Sequence, residues 1–450
     1  ILEEAGKIST EVLAPLQRVG DTNPAFLKNG VVRTSPGFGK AYQSIADNGW
    51  IGMAASSEYG GMGLPQSLMH AVNEMMGGAC LSLQLNPVMT QGQIEALEHH
   101  ASEDLKKLYL PKLISGEWSG TMNLTEPHAG SDVGALKSVA VPNEDGSYSV
   151  SGQKIYISWA DNDFTENVCH LVLARLPGSP EGTKGISLFM VPKLIPDKFG
   201  QPGVANTLKV VSLEHKLGLH GSPTAVMQYE NALGWIVGEP NQGMASMFTM
   251  MNNARLGVGG QGIAVAEAAY QKALSFSMER VQGQPLGGGK TILGHADVRR
   301  MLAEMKADVF AARAIGAACA LAIDMGNATA SKNWISQAAF LTPIAKAFGT
   351  DIGIEVSQTG IQVHGGMGFI EETGASQFLR DVRVTAIYEG TNGIQAMDLV
   401  SRKMKDGGEA AFTMIQEIES FTASLGSTHK EMAASLENAT QNLRGTTTWI

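Results

Sequence analysis

Val363-His364-Gly365-Gly366-Met367-Gly368-Phe369, followed roughly twenty residues later by Tyr388-Glu389-Gly390-Thr391-Asn392, is the stretch on which the reading of this chain turns. A glycine cluster lets backbone approach a ligand closely, because no Cβ stands in the way. A carboxylate carried on a Gly-Thr turn at the edge of a helical region is one way to set a general base beside a bound cofactor. The plainer reading is an ordinary turn followed by a solvated glutamate. Taken alone, the two motifs do not decide between these readings, and the rest of the chain has to.

At 450 residues the chain exceeds what one hydrophobic core commonly organises, so two to three domains are expected. Its 44% hydrophobic and 17% charged residues are those of a folded globular protein. The 33 basic and 43 acidic residues leave a charge of -10, without a long block of one sign, which argues against a nucleic-acid surface. Cys80, Cys169 and Cys319 are far apart in apolar or small-residue settings, so neither a disulfide framework nor a zinc or other metal site is indicated. A reducing, cytoplasmic setting fits. The longest unbroken apolar run, Ala314 to Ile323 between Arg313 and Asp324, is too short for a membrane span and predicts a buried helix. Both ends, Ile1-Leu2-Glu3-Glu4 and Thr448-Trp449-Ile450, look trimmed, which leaves a removed targeting segment open.

Residues 1–117 read as a helical domain, with helices near Phe38 to Asn48 and Leu68 to Gly77 and an N-cap at Ser102 before the stripe Leu105, Leu108, Tyr109, Leu113. Over 118–240 short β-rich runs alternate with turns: Tyr148 to Val150, Lys154 to Ile157, His170 to Ala174, Ile186 to Val191 and Ala225 to Tyr229. These predict a small antiparallel β domain. Over 241–405 long helices return, one from about Met244 to Glu279 and one carrying Val298, Met301, Leu302, Met305, Val309 and Ala312 at helical spacing, as in a bundle. Residues 406–450 read as an appended amphipathic helix pair.

Five separated motifs can then be read together. They are Glu58-Tyr59-Gly60-Gly61; Thr125-Glu126-Pro127 through Gly130-Ser131-Asp132; Gly152-Gln153-Lys154-Ile155-Tyr156-Ile157-Ser158; Gln362-Val363-His364-Gly365-Gly366; and Arg380-Asp381 leading to Tyr388-Glu389-Gly390-Thr391-Asn392. In this order they resemble the acyl-CoA dehydrogenase family of flavoproteins, from about residue 40 to 403. The segment Glu214 to Pro223 and the extra C-terminal helices resemble that family's long-subunit branch, whose members include the 3-methylmercaptopropionyl-CoA dehydrogenases of dimethylsulfoniopropionate breakdown. The resemblance implies an all-α N-terminal domain, a central antiparallel β domain and a C-terminal four-helix bundle, here with a helical extension. It also implies FAD held between domains and a homodimer interface, with an electron-transfer flavoprotein as acceptor.

By the same resemblance, Glu389 is the base that removes the proton from carbon 2 of an acyl-CoA thioester while carbon 3 loses hydride to the flavin. Some relatives take the base from the residue before the arginine of Asn252-Asn253-Ala254-Arg255; Ala254 stands there, so Glu389 has no rival. Leu124 and Thr125 are implied at the flavin's pyrimidine edge, and Tyr156 and Ser158 where the family more often has Trp and Thr. Arg280 is implied at the pyrophosphate of the partner subunit's FAD, Gln362, Gly365 and Gly366 at its adenine half, and Thr391 as a further cofactor contact. Ser131, Arg255 and Gly390 are implied on the substrate side. Without the resemblance, Arg280 reads as a cation at a helix C-terminus, the 125–132 loop as ordinary Asx and Ser turns, and Arg380, Asp381 and Arg383 as structural ion pairing.

Three alternatives stay open: an acyl-CoA oxidase that uses oxygen, a DNA-associated flavoprotein of the same fold, and a catalytically idle scaffold. Glu409, Glu417, Glu419, Glu431 and Glu437 on the appended helices weigh against DNA, and the retained Glu389 weighs against a scaffold.

Overall fold

The structure is a computed structural model that describes residues 1–425 and 427–450; the side chains at 248–253, which include the quoted Asn252 and Asn253, and at Ser427 lie outside the description. The chain opens with α1 (Leu2–Ile8) and α2 (Leu16–Thr22), a hairpin of β1 (Phe26–Lys28) and β2 (Val31–Arg33), then α3 (Phe38–Asp47), α4 (Gln66–His100) and α5 (Glu103–Ser115). The hairpin is an exception within the helical N-terminal part. Its turn, Asn29-Gly30, has φ of 53° and 76°, the backbone a two-residue hairpin turn needs. Ser102 caps α5 as expected, its hydroxyl accepting from the Leu105 N–H at 3.4 Å. The helix expected over Leu68 to Gly77 is one arm of α4, which breaks at Cys80 (φ -156°, ψ 85°). On a straight helix Asn73 and Gln91 would lie roughly 27 Å apart. Instead their amides are hydrogen-bonded at 2.9 Å, so the two arms of α4 lie against each other.

The central strands are β3 (Trp118–Asn123), β4 (Val139–Pro142), β5 (Tyr148–Ser158), β6 (Asn167–Arg175), β7 (Ile186–Pro192), β8 (Leu194–Pro196), β9 (Pro202–Ala205), β10 (Leu208–Leu213) and β11 (Thr224–Val237). Their sheet runs β10-β11-β5-β4-β6-β3, and β7 pairs with both β6 and β11, closing the sheet on itself; β8 and β9 form a separate hairpin. The runs at Tyr148 and Lys154 merge into the single strand β5. The expected antiparallel pattern holds for most pairings and is corrected at β6, which runs parallel to β3 along its length and to β4 at one position. Between β3 and β6 the chain passes through β4 and β5, a crossover long enough for a parallel partner.

The last part consists of α6 (Gly243–Glu279), α7 (Ala296–Thr329), α8 (Lys332–His364), α9 (Ala375–Val382) and α10 (Asn392–Asp398), which continues through a wide helical turn to Lys403. Three long helices and the shorter α10 thus form the bundle, and α11 (Glu409–Ser424) and α12 (Lys430–Trp449) extend it, tied together by Arg444 donating to both carboxylate oxygens of Glu419. Met301, Leu302, Met305, Val309 and Ala312 are buried on one face of α7 as their spacing predicts. Counted within α7 instead of as an unbroken run, the apolar segment is long and apolar enough, by length and composition alone, to cross a membrane. The run itself is as short as read, but the expectation that it is buried is corrected: Ala314, Ala317, Ala318 and Leu321 are exposed, while the opposite face of the helix packs against α6 and α8.

The closest approach in the bundle is between α6 and α8. A Cβ on Gly262 would sit 2.2 Å from the Gly349 carbonyl oxygen, one on Gly259 2.6 Å from that of Ala345, and one on Gly353 2.8 Å from that of Gly262. Backbone meets backbone there, which only glycine allows. Gly262→Ala is therefore expected to cost about 1–3 kcal/mol by overpacking and to lower the thermal midpoint. Gly445→Ala, where an added Cβ meets nothing within 4 Å, should leave the midpoint unchanged or raise it; equal effects of the two substitutions would refute the contact.

Candidate functional site

The α6–α8 contact delivers two cations to one turn. Arg255 comes from α6 and Lys346 from α8, and both act on the carboxyl of Glu389. Glu389 has φ 54°, unusual for a residue with a side chain, and Gly390 follows at φ 84°. Such backbone costs of order 1–3 kcal/mol and persists only when its surroundings over-determine it. Here they do. The Gln395 side chain donates to the carbonyls of Glu389 (3.3 Å) and Gly390 (3.0 Å), and the Thr391 hydroxyl caps α10 by accepting from the Ile394 N–H at 3.3 Å. Tyr388 donates to the Gln261 side-chain oxygen on α6. A Cβ on Gly390 would lie 2.8 Å from the Gln395 amide nitrogen and 3.8 Å from a guanidinium nitrogen of Arg255, so Gly390, Thr391, Arg255 and Glu389 form one group.

Glu389 keeps some exposed surface, yet dense surroundings push its carboxyl up from 4.5 to about 7 by burial, with Arg255 and Lys346 pulling the other way. Arg255 is largely engaged elsewhere: buried, it donates to Asp398 at 2.7 Å. Lys346 is fully buried and donates to the Asn392 side-chain oxygen at 2.9 Å; burial brings it down to about 8, against the pull of Glu389 and Asp351. The sequence reading missed Lys346, Gln261 and Asp398. A signal for Lys346 was available, since a lysine at that place interrupts the buried stripe Leu341, Thr342, Ala345, Gly349, Ile352 of α8.

Leu124, Thr125, Tyr156 and Ser158 form a second group. The Thr125 carbonyl accepts from the Ile155 N–H at 2.9 Å, and the Lys154 ammonium bridges the Leu124 carbonyl (3.0 Å) and the Glu126 carboxylate (2.8 Å). Burial raises the Glu126 carboxyl, but Lys154 and Ser138 more than offset this and the net direction is down. The 125–132 loop is thus pinned by a buried ion pair, which the Asx and Ser turn reading did not anticipate. A register shift in the β5–β11 pairing accompanies a φ of 61° at Tyr156, and the residue is 62% exposed. Ser131 is exposed in the same loop.

Arg280, Gln362, Gly365 and Gly366 form the third group. Phe276, one turn before Arg280, stacks on His364 with ring centroids 4.4 Å apart, which joins the C-terminus of α6 to the Gly365 turn. Added Cβ atoms on Gly365 and Gly366 meet nothing within 4 Å, and Arg280 is exposed. Along α8 the 18 residues from Lys346 to His364 put this group roughly 27 Å from the Glu389 turn. An exposed aromatic ring beside Ser158 and an open glycine turn with an arginine beside it suit a flat ring system and an extended phosphate ester, so the residues present fit FAD. Arg380, by contrast, pairs with Asp21 (2.6 Å) and Glu371 (2.8 Å), the ion pairing expected of it, whereas among the described residues Asp381 and Arg383 form no ion pair, and Asp381 instead accepts from the Leu219 N–H at 2.6 Å and the Gln377 amide at 3.2 Å.

Beside the Glu389 turn lies a cavity between the two arms of α4 and α6, lined by Asn73, Gln84, Gln91, His70, Leu256 and Gln261 among others. Its amides form a relay whose direction is set at one end. Gln91 donates to the Trp50 carbonyl (3.2 Å), accepts from Asn73 (2.9 Å), and Asn73 accepts from Gln84 (2.8 Å). Among the described residues the relay leaves the buried Gln84 side-chain oxygen without a partner, and the Gln261 amide nitrogen and the His70 Nε2 are likewise without one.

Comparison with known proteins agrees with this geometry. The acyl-CoA dehydrogenase N-terminal, middle and C-terminal domain profiles match residues 30–117, 121–232 and 241–404. The chain is 49% identical over 418 residues to a 3-methylmercaptopropionyl-CoA dehydrogenase of Ruegeria pomeroyi, covering 91% of this chain and 71% of that one. It is 35% identical over 439 residues to a butyryl-CoA dehydrogenase of Syntrophomonas wolfei, covering 93% and 72%. The fold matches that of butyryl-CoA dehydrogenase from Megasphaera elsdenii, with a TM-score of 0.76 at 24% identity over 90% of this chain and 97% of that one. It also matches Caenorhabditis elegans ACDH-11 in complex with C11-CoA, with a TM-score of 0.83 at 22% identity over 98% and 75%. The chain belongs to the acyl-CoA dehydrogenase family of FAD-dependent oxidoreductases.

Proposed function

We propose that this enzyme oxidises a short acyl-CoA thioester to its 2,3-enoyl form with Glu389 as the base. The observation that carries this reading is the Glu389 turn: a carboxyl at about 7, held in strained backbone between two cations. A carboxylate in water is too weak a base for carbon 2 of a thioester; burial strengthens it, and hydrogen bonds to the thioester oxygen acidify the carbon. The Gln395 amide draws the Glu389 and Gly390 carbonyls to one side of the turn, and the Glu389 N–H makes no hydrogen bond to another described residue, so it is placed to donate to that oxygen. Bound FAD supplies the acceptor for the hydride that leaves carbon 3. Leu124, Thr125, Tyr156, Ser158 and Thr391 hold its flavin end, with Ser131, Arg255 and Gly390 on the substrate side. Arg280, Gln362, Gly365 and Gly366 hold the adenine half. Their distance from Glu389 along α8 supports assigning them to the FAD of a partner subunit in a homodimer.

The chain divides at about residues 117, 240 and 405, and works in the cytoplasm with an electron-transfer flavoprotein as acceptor. Three buried free cysteines suit a reducing compartment. The relative from Ruegeria pomeroyi suggests 3-methylmercaptopropionyl-CoA as substrate, and with it a place in dimethylsulfoniopropionate breakdown. The small cavity supports a short acyl group, because a long alkyl chain laid against the Gln84 oxygen and the Gln261 nitrogen leaves them unsatisfied, at about 1–3 kcal/mol each.

Three outcomes test the proposal. Anaerobic mixing with substrate should bleach the wild-type flavin, while Glu389→Gln binds the thioester and bleaches it about 10²–10⁴-fold more slowly; normal bleaching by the variant sinks the assignment of the base. Only ionised Glu389 can take a proton, so the wild-type rate should climb with pH through a midpoint near 7 and fall about tenfold per unit below it. Across a panel of esters, 3-methylmercaptopropionyl-CoA and butyryl-CoA should exceed octanoyl-CoA at least about tenfold in kcat/KM, the worth of roughly 1.4 kcal/mol; a rising series with chain length would refute the short-chain reading.

A further inference from the structure

Among the charged side chains buried in this protein, Lys346 has so far been given only its pull on Glu389. Among the described residues it forms no ion pair, and its one side-chain hydrogen bond is to a neutral amide, that of Asn392. Asn392 directly follows Thr391 and is itself clamped: its amide nitrogen donates to Asp351 (2.7 Å), to the Thr350 hydroxyl (3.0 Å) and to the Ala347 carbonyl (3.3 Å). Asn392 thus ties the strained turn to one segment of α8, and Lys346 closes that attachment from below.

Burying an ammonium without a carboxylate partner is costly, and such a group would ordinarily shed its proton or be replaced. The packing explains why it cannot swing out to solvent: Lys346 leaves α8 at the glycine crossing, where a Cβ on Gly259 would lie 3.3 Å from the Lys346 Cα. The charge is held where the helices meet. Titratable groups face Glu389 from each neighbouring element: the cations Arg255 on α6 and Lys346 on α8, and in the turn itself the Tyr388 phenol, which burial and Glu389 keep protonated. Arg255 is paired with Asp398 of α10, which also takes Arg402, and Lys403 lies beyond that pair. On the α8 side Asp351 faces Lys346 but is already hydrogen-bonded to Asn392.

We propose that Lys346 is a positioning residue for the dehydrogenation, holding the Glu389–Thr391 turn through Asn392 and placing beside the base a positive charge that no ion pair takes up. The charge favours the carboxylate and so offsets part of what burial does to Glu389. Burial makes the base strong; Lys346 keeps enough of it ionised to act near neutral pH. This rests on the assignment of Glu389 as the base.

The test is the rate of anaerobic flavin bleaching by saturating butyryl-CoA from about pH 5 to about pH 9, in FAD-loaded wild type, Lys346→Gln, Lys346→Met and Asn392→Ala. Lys346→Gln keeps a donor for Asn392 and loses the charge; Asn392→Ala keeps the charge and loses the clamp. Both lysine variants should move the rising limb upward by about one pH unit, because removing a nearby cation raises the pKa of a carboxyl. Lys346→Gln should retain wild-type FAD content and thermal midpoint. Asn392→Ala should lower the plateau without moving the limb. A limb that stays in place in both lysine variants, with bleaching slowed equally at every pH, would make Lys346 a structural residue and overturn the inference. A wild-type enzyme that no ester bleaches would overturn the underlying assignment and this inference with it, and the two failures are told apart by the wild-type trace alone.

Discussion

Direct backbone contact between α6 and α8 is the constraint on which the rest depends. Gly259 and Gly262 on one helix and Gly349 and Gly353 on the other let carbonyl oxygens approach positions where any side chain would stand. Because the axes are so close, Arg255 and Lys346 arrive from opposite helices at the same turn, and neither has room to leave. The turn meets that pair with an unfavourable backbone at Glu389 and an obligatory glycine after it. Strain of this kind survives only inside a rigid frame, and the frame here is the crossing itself together with Gln395, Thr391 and Asn392.

The electrostatics of the site follow from that geometry. Moving a carboxyl from 4.5 to about 7 amounts to about 3 kcal/mol of preference for the neutral form. Burial supplies more than this, and the two cations return part of it. Arg255 gives less than its proximity suggests because Asp398 holds it. The 125–132 loop repeats the device with the opposite result: at Glu126 the partner cation Lys154 lies within a direct ion pair and the net direction is down. One carboxylate is locked as structure and the other is poised to take a proton, and the difference between them is the presence or absence of a paired cation.

Much of this was legible in the sequence, for identifiable reasons. Helical spacing in α7, the Ser102 cap and the β-rich runs of β5, β6, β7 and β11 are local patterns, and local patterns predict elements. The turn at Glu389-Gly390-Thr391 was legible because a glycine followed by a capping threonine is a local signal for a turn that opens a helix, and the structure has Gly390 at φ 84° and Thr391 capping α10. The bend of α4 at Cys80, the parallel pairing of β3 with β6 and the partnership of Lys346 with Asn392 were not legible, because each depends on residues far apart in the chain. The hairpin at Asn29-Gly30 is a different case, since its signal was local and was outweighed by the helices around it. The cavity relay from Trp50 through Gln91 and Asn73 to Gln84 exists only once α4 has folded back, and no spacing along the sequence announces it.

The central claim is that burial, only partly offset by Arg255 and Lys346, sets the proton affinity of Glu389. Infrared difference spectra between wild type and Glu389→Gln, taken across pH with a non-oxidisable thioester bound, isolate the carboxyl band of this one residue. A protonated-carboxyl band that disappears with a midpoint at or above about 7 is the predicted result. Loss of the band with a midpoint near the ordinary glutamate value of about 4.3 would contradict it.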